Sequence, residues 1–91
     1  MQQNDLKTLE IARKYLKAIK QKTPKVSCKV LLDNTRKQLA YVCDLDKKVT
    51  EAYELTKVDF NKDSLAEMQS RKVKAVKCID EVINNYNRRE N

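Results

Sequence analysis

The chain has 91 residues, a formal net charge of +7, 36% charged and 41% apolar side chains, no glycine, one proline and no histidine. That apolar share is too high for a disordered chain, and the near absence of turn-forming residues argues against hairpins and strand-rich folds. A single all-α domain over residues 1–91 is expected, burying only about 60–65% of the surface of its unfolded form.

The first helix is expected over about residues 5–22. At about 100° per residue, Leu9, Ile11, Ala12, Tyr15, Leu16, Ala18 and Ile19 share one half of the wheel. Lys7, Arg13, Lys14, Lys17 and Lys20 share the other. A broad apolar half suits a helix with two neighbours, and Asn4 or Asp5 is placed to cap its start. Thr23 followed by Pro24 reads as a fresh beginning, with threonine at the N-cap and proline at the first helical position, where its missing N–H costs nothing.

From Pro24 to Lys57 no helix breaker intervenes. Cys28, Leu32, Thr35, Leu39, Val42, Asp46, Val49, Tyr53 and Thr56 step by alternating fours and threes, which is a heptad seam. A long helix over about 24–57 follows. Residues 58–63 are polar and turn-tolerant. Ser64 and Glu67 then match a capping box opening a third helix over about 64–88, with Leu65, Met68, Ala75, Val76, Ile79, Val82, Ile83 and Tyr86 on one face.

These three helices predict an antiparallel bundle with a long central helix, at rises of about 1.5 Å per residue roughly 27, 50 and 38 Å long. Part of the central helix is then uncovered, including a second apolar stripe of Tyr41, Leu45, Ala52 and Leu55. Two remedies exist. The helix runs straight and its stripe meets a partner chain or a second copy, or it breaks near residues 43–46, where Asp44 or Asp46 caps a fourth helix.

No chemistry of catalysis is legible. Without histidine the commonest general base and metal ligand are missing, and Cys28, Cys43 and Cys78 lack the spacing of a zinc site. They read as buried free thiols. No glycine-rich loop can cradle a phosphate. Asp33, Asp44, Glu10 and Glu67 each precede a basic residue by four places (Lys37, Lys48, Lys14 and Arg71), the spacing of helix-surface pairs. The expectation is a non-enzymatic protein without cofactor or metal. No apolar run approaches the roughly 20 residues of a membrane span, and the N-terminal sequence lacks the pattern of a signal peptide. A cytoplasmic protein is expected.

The charges are uneven. Residues 1–32 carry eight basic and two acidic side chains, residues 33–67 six and eight, and residues 68–91 six and three. Between Ile11 and Leu32 there is no acid at all. Two readings of function follow. One is a helical interaction protein, an adaptor or regulator, joining another protein or itself through the central helix. The other is a nucleic-acid or phosphate-binding module. Its surface would comprise Arg13, Lys14, Lys17, Lys20 and Lys25 from the N-terminal third, with Arg71, Lys74 and Lys77 from the last helix. Fifteen lysines against five arginines disfavour base-specific readout. Tyr15, Tyr41, Tyr53, Tyr86 and Phe60 are spaced as core and loop anchors rather than as a stacking platform. The first helix is amphipathic and basic, but it lacks tryptophan and phenylalanine and its apolar half is needed by the bundle, so a membrane-surface role is not expected.

Two charges occupy apolar seams. Asp46 lies between Val42 and Val49, and Lys72 between Met68 and Ile79. Counted from the loop at Phe60, they sit at nearly the same level of an antiparallel hairpin. A partly buried Asp46–Lys72 ion pair is the expectation, fixing register more than adding net stability.

Overall fold

The computed structural model describes the backbone of residues 2–59 and 61–90 and the side chains of residues 2–59 and 61–88. Phe60, expected as a loop anchor, lies outside the described residues. Four helices run along the chain: α1 (Gln3–Lys17), α2 (Lys25–Ala40), α3 (Lys47–Leu55) and α4 (Leu65–Glu90). No strand occurs among the described residues. The all-α expectation holds, but the architecture is the four-helix alternative rather than three helices around a long central one.

The reason lies in Asp46. In a continuous helix this carboxylate would point into the seam between Val42 and Val49. Instead the chain leaves the helix after Ala40, turns through residues 41–46, and Asp46 becomes the N-cap of α3, its side chain accepting a hydrogen bond from Lys48 N at 2.7 Å. Thr50 reinforces the turn by donating its hydroxyl to the Cys43 carbonyl. The seam survives as a set of core residues. Cys28, Leu32, Thr35, Leu39, Val42, Val49 and Thr56 are buried and Tyr53 is half-buried, while Asp46 is exposed. Replacing Asp46 with alanine removes this cap and is expected to cost about 1 kcal/mol, read as a lowered midpoint in urea unfolding with an unchanged slope.

Contacts define a ring. α1 packs on α2 and α4, and α3 packs on α4 and α2. Arg13 meets Asp80 while Lys72 meets the Ile19 carbonyl, so α1 runs antiparallel to α4. Lys48 meets Glu81 and Arg71 meets the Lys57 carbonyl, so α3 is antiparallel to α4 as well. With short loops between successive helices this is an up-down-up-down bundle, 42 × 20 × 17 Å in extent. At about 1.5 Å per residue, α4 is roughly 39 Å long and spans that length, with α1 and α3 on either flank.

Capping follows local chemistry, with corrections. α1 starts at Gln3, and the Asp5 carboxylate accepts from Gln2 N at 2.9 Å. It ends at Lys17, short of residue 22. Two carbonyls of the turn that follows α1 are taken by α4: Lys72 Nζ donates to Ile19 O at 2.8 Å and Gln69 Nε2 to Lys20 O at 2.9 Å. Pro24, not Thr23, is the N-cap of α2, and the Thr23 hydroxyl instead accepts from Lys20 N, closing the α1–α2 turn. Ser64 behaves as expected, its hydroxyl accepting from Glu67 N at 3.2 Å at the start of α4.

One core joins all four helices. Leu9, Ala12, Leu16 and Ile19 of the α1 segment meet Cys28, Leu32 and Leu39 of α2, Val49 and Ala52 of α3, and Met68, Ala75, Ile79, Val82 and Ile83 of α4. The edges of the expected apolar arcs fall outside it: Ile11, Ala18 and Leu65 are exposed, and Tyr15, Val76 and Tyr86 are half-buried.

Candidate functional site

Folding brings the two basic ends of the sequence together, because α1 and α4 are neighbours in the ring. Lys14, Lys17, Lys20, Lys74 and Lys77 are exposed, as is Lys7 on the same outer side of α1. None of these lysines forms an ion pair among the described residues. Lys25 is exposed too, on the first turn of α2, one loop away from Lys20. Two expected members have other duties. Arg13 is half-buried and bonded through Nη1 to Asp80 Oδ1 at 2.9 Å, while Arg71 donates Nη1 to the Lys57 carbonyl at 3.4 Å. With its side chains about one-third exposed, the Arg13–Asp80 pair is worth no more than about 1 kcal/mol. Its larger effect is to remove Asp80 as a free negative charge on this side of the bundle.

The acids lie elsewhere. Asp44 and Asp46 occupy the α2–α3 turn, Glu51 and Glu54 lie on α3, and Asp59 and Asp63 lie in the α3–α4 loop. On α4, Asp80 and Glu81 are paired, with Arg13 and Lys48 respectively. Asp5, Glu10 and Glu67 are the acids of α1 and α4 with described side chains for which no ion pair forms among the described residues. The α1/α4 side is therefore left with a surplus of uncompensated ammonium groups, the condition under which a surface attracts phosphates.

Several expected contacts are corrected. The Asp46–Lys72 pair does not form, because Asp46 caps α3 and Lys72 donates to the Ile19 carbonyl in the turn after α1. The pairs Asp33–Lys37, Asp44–Lys48, Glu10–Lys14 and Glu67–Arg71 are absent from the ion pairs of the described residues, and Lys48 turns instead to Glu51 and Glu81. The stripe of Tyr41, Leu45, Ala52 and Leu55 is dismantled by the break. Tyr41 and Leu45 stay exposed in the turn, Ala52 enters the core and Leu55 packs half-buried against it.

Cys28 and Cys78 are buried free thiols and Cys43 is half-buried. Burial pushes the Cys28 and Cys78 thiols above their ordinary pKa, and the nearby Glu51 carboxylate adds to the rise at Cys78. Both stay protonated, and neither offers a thiolate nucleophile or metal ligand at neutral pH. Among the described residues no group of acids and cysteines is arranged to hold a metal ion, and no helix is long and apolar enough to cross a membrane.

One constellation escaped the sequence reading. Arg36 on α2 lies over the ring of Tyr53 on α3, its Cζ 5.6 Å from the ring centroid, and Lys57 Nζ approaches the same centroid to 5.4 Å. The spacing of Tyr53 and Lys57, four residues apart, was legible. The approach of Arg36 requires α2 and α3 to fold back on each other. No family model, curated protein or solved structure matches the chain.

Proposed function

We propose that this is a non-enzymatic module that binds nucleic acid through its phosphate backbone, without base specificity, on the outer face of α1 and α4. The observation that carries the reading is the set of exposed lysines Lys14, Lys17, Lys20, Lys74 and Lys77, without an ion pair among the described residues, on two adjacent antiparallel helices. Lysine is a flexible point charge suited to phosphate and poorly suited to forked recognition of a base edge. The dispersed aromatics agree, since among the described residues no row of exposed rings is available to stack single-stranded bases. Reduced thiols and a nucleic-acid ligand both fit a cytoplasmic setting.

Fluorescence anisotropy with a random duplex and a random single-stranded RNA tests this. Micromolar affinity at low salt is expected, falling linearly on a log–log plot against salt with a slope of about −0.9 per phosphate contacted on duplex. Absence of binding at low salt, or binding indifferent to salt, refutes it.

A second reading, contact with another protein or a second copy, retains one specific support. Tyr41 is 80% and Leu45 52% exposed at one end of the bundle. It no longer draws on a long uncovered helix, and two neighbouring apolar side chains are not unusual on a monomer. Light scattering separates the readings, since the first needs only a monomer and the second a stable assembly.

A further inference from the structure

The outer face of α2 carries apolar side chains that the bundle does not use. Cys28, Leu32, Thr35 and Leu39 are buried, and at about 100° per residue Val26, Val30, Asp33, Lys37 and Tyr41 fall together on the opposite side of the helix. Tyr41, the C-cap, keeps helical backbone angles and so continues the stripe. Val26 is 77%, Val30 53% and Tyr41 80% exposed. With Leu45 in the turn beyond, this one edge of the bundle holds four of the seven large apolar side chains exposed among the described residues, a clustering that marks a contact surface rather than scattered single exposures. In the ring α2 packs on α1 and α3 only at its flanks.

The charges along this edge have a direction. Lys22, Lys25 and Lys29 are exposed at and just before the start of α2, in the stretch from Ile11 to Leu32 that holds no acid. Asp44 and Asp46 are exposed in the turn beyond its end. Lys48 beside them is taken by Glu51 and Glu81, which leaves Lys47 as the cation of that turn without an ion pair among the described residues. Midway, Asp33 and Lys37 stand four residues apart, and neither forms an ion pair among the described residues.

We infer that a second copy of this chain docks on this face, the two α2 helices antiparallel about a two-fold axis at the level of Thr35. Positions equidistant from residue 35 then face each other. Asp33 of each copy meets Lys37 of the other, so one contact made twice closes the centre, as an isologous interface requires. Val30 falls beside Ala40 and Tyr41 of the other copy, and Val26 lies one turn further out, toward the end that holds Leu45. The basic start of each α2 comes against the Asp44–Asp46 turn of the other. A parallel pairing would instead set Asp33 against Asp33 and lysines against lysines. The occupant is a second copy because the face is its own complement in both shape of stripe and order of charge. At +7 per chain, any docking of two copies that does not match opposite charges in this way is repelled. The axis lies on the side of α2, diagonal to α4 in the ring, so the inference goes beyond the nucleic-acid reading and does not depend on it.

The 16 residues of α2 make a face about 24 Å long. One helix face of that size belongs with the small, weak interfaces, and a Kd on the order of 100 μM is expected. Binding experiments at micromolar protein then read the monomer, so the two proposals fail independently.

Sedimentation equilibrium of the full chain from about 10 μM to about 1 mM, spanning that Kd, is expected to show a reversible monomer–dimer equilibrium. Concentration-dependent amide NMR shifts are expected to be confined to residues 22–46. Val30→Lys, at an exposed position, is expected to weaken the dimer at least tenfold with unchanged far-UV helicity. Asp33→Lys and Lys37→Asp are each expected to weaken it as well, because like charges then meet across the axis. An equimolar mixture of those two variants is expected to associate at least as well as the parent, since each supplies the charge the other lacks. Both variants keep a positive net charge, so net charge alone does not draw them together. A monomer at every concentration, a dimer unaffected by Val30→Lys, shifts on α4 instead of α2, or a mixture no stronger than its components would overturn the interface.

Discussion

Replacing Leu16 with alanine is expected to destabilise the bundle by about 2–4 kcal/mol, the range for a leucine truncated in a packed core. Leu16 is fully buried on α1, which lies between α2 and α4, so the lost methyl groups leave a void bordered by more than one helix. A chain of this length is typically stable by about 5–14 kcal/mol, so one such change removes a large fraction of the total. Ile11→Ala is the matched control. Ile11 is 42% exposed on the same helix, and its truncation is expected to cost only about 1 kcal/mol, because much of its surface stays in water and its loss leaves no enclosed cavity. Urea unfolding of the two variants checks the difference. An unchanged midpoint for Leu16→Ala would take α1 out of the core.

The second large effect concerns binding. Reversing Lys14, Lys17 and Lys77 to glutamate is expected to abolish detectable nucleic-acid binding at physiological salt, and to reduce the low-salt slope by about 3, one for each phosphate contact removed. All three side chains are exposed and unpaired among the described residues, so folding has little to lose. The far-UV helicity and melting temperature are expected to stay close to those of the parent. Loss of helicity along with binding would mean that these lysines serve the fold.

What the sequence disclosed divides by how far each inference had to reach. Within one helix the wheel sufficed: Leu9, Leu16 and Ile19 were placed inward and their lysine neighbours outward from spacing alone, and all took those positions. Ile11 and Ala18 sat at the edge of the arc, where rotation of the helix against its neighbours decides exposure, and spacing carries no information about that rotation. The break at residues 41–46 was one of two options, since no glycine or proline marks it. The aspartate in the seam was its physical signal. A carboxylate costs too much free energy unpaired in the core, and it satisfies a backbone N–H when it caps a helix.

The Asp46–Lys72 pair failed for the same reason. Its register assumed a straight hairpin, whereas the turn places the start of α3 beside Glu81 of α4, through Lys48 at 3.4 Å. Lys72 lies a long way down α4 from there, at the level of Ile19. Lysine exposure on α1 and on α4 followed from each helix separately. That α1 and α4 become neighbours, and that Arg36 reaches Tyr53, are properties of the ring.

The most direct test of the basic face compares placement with amount of charge. The salt slope of binding to a random duplex is measured for the parent, for the Lys14, Lys17 and Lys77 reversal, and for a reversal of Lys37, Lys47 and Lys62, exposed lysines away from the α1/α4 face. The two variants carry the same net charge. A face-bound phosphate backbone predicts a slope shallower by about 3 for the first variant and one within about 1 of the parent for the second. Equal losses in both would show that net charge alone attracts the nucleic acid, and would contradict a binding surface on α1 and α4.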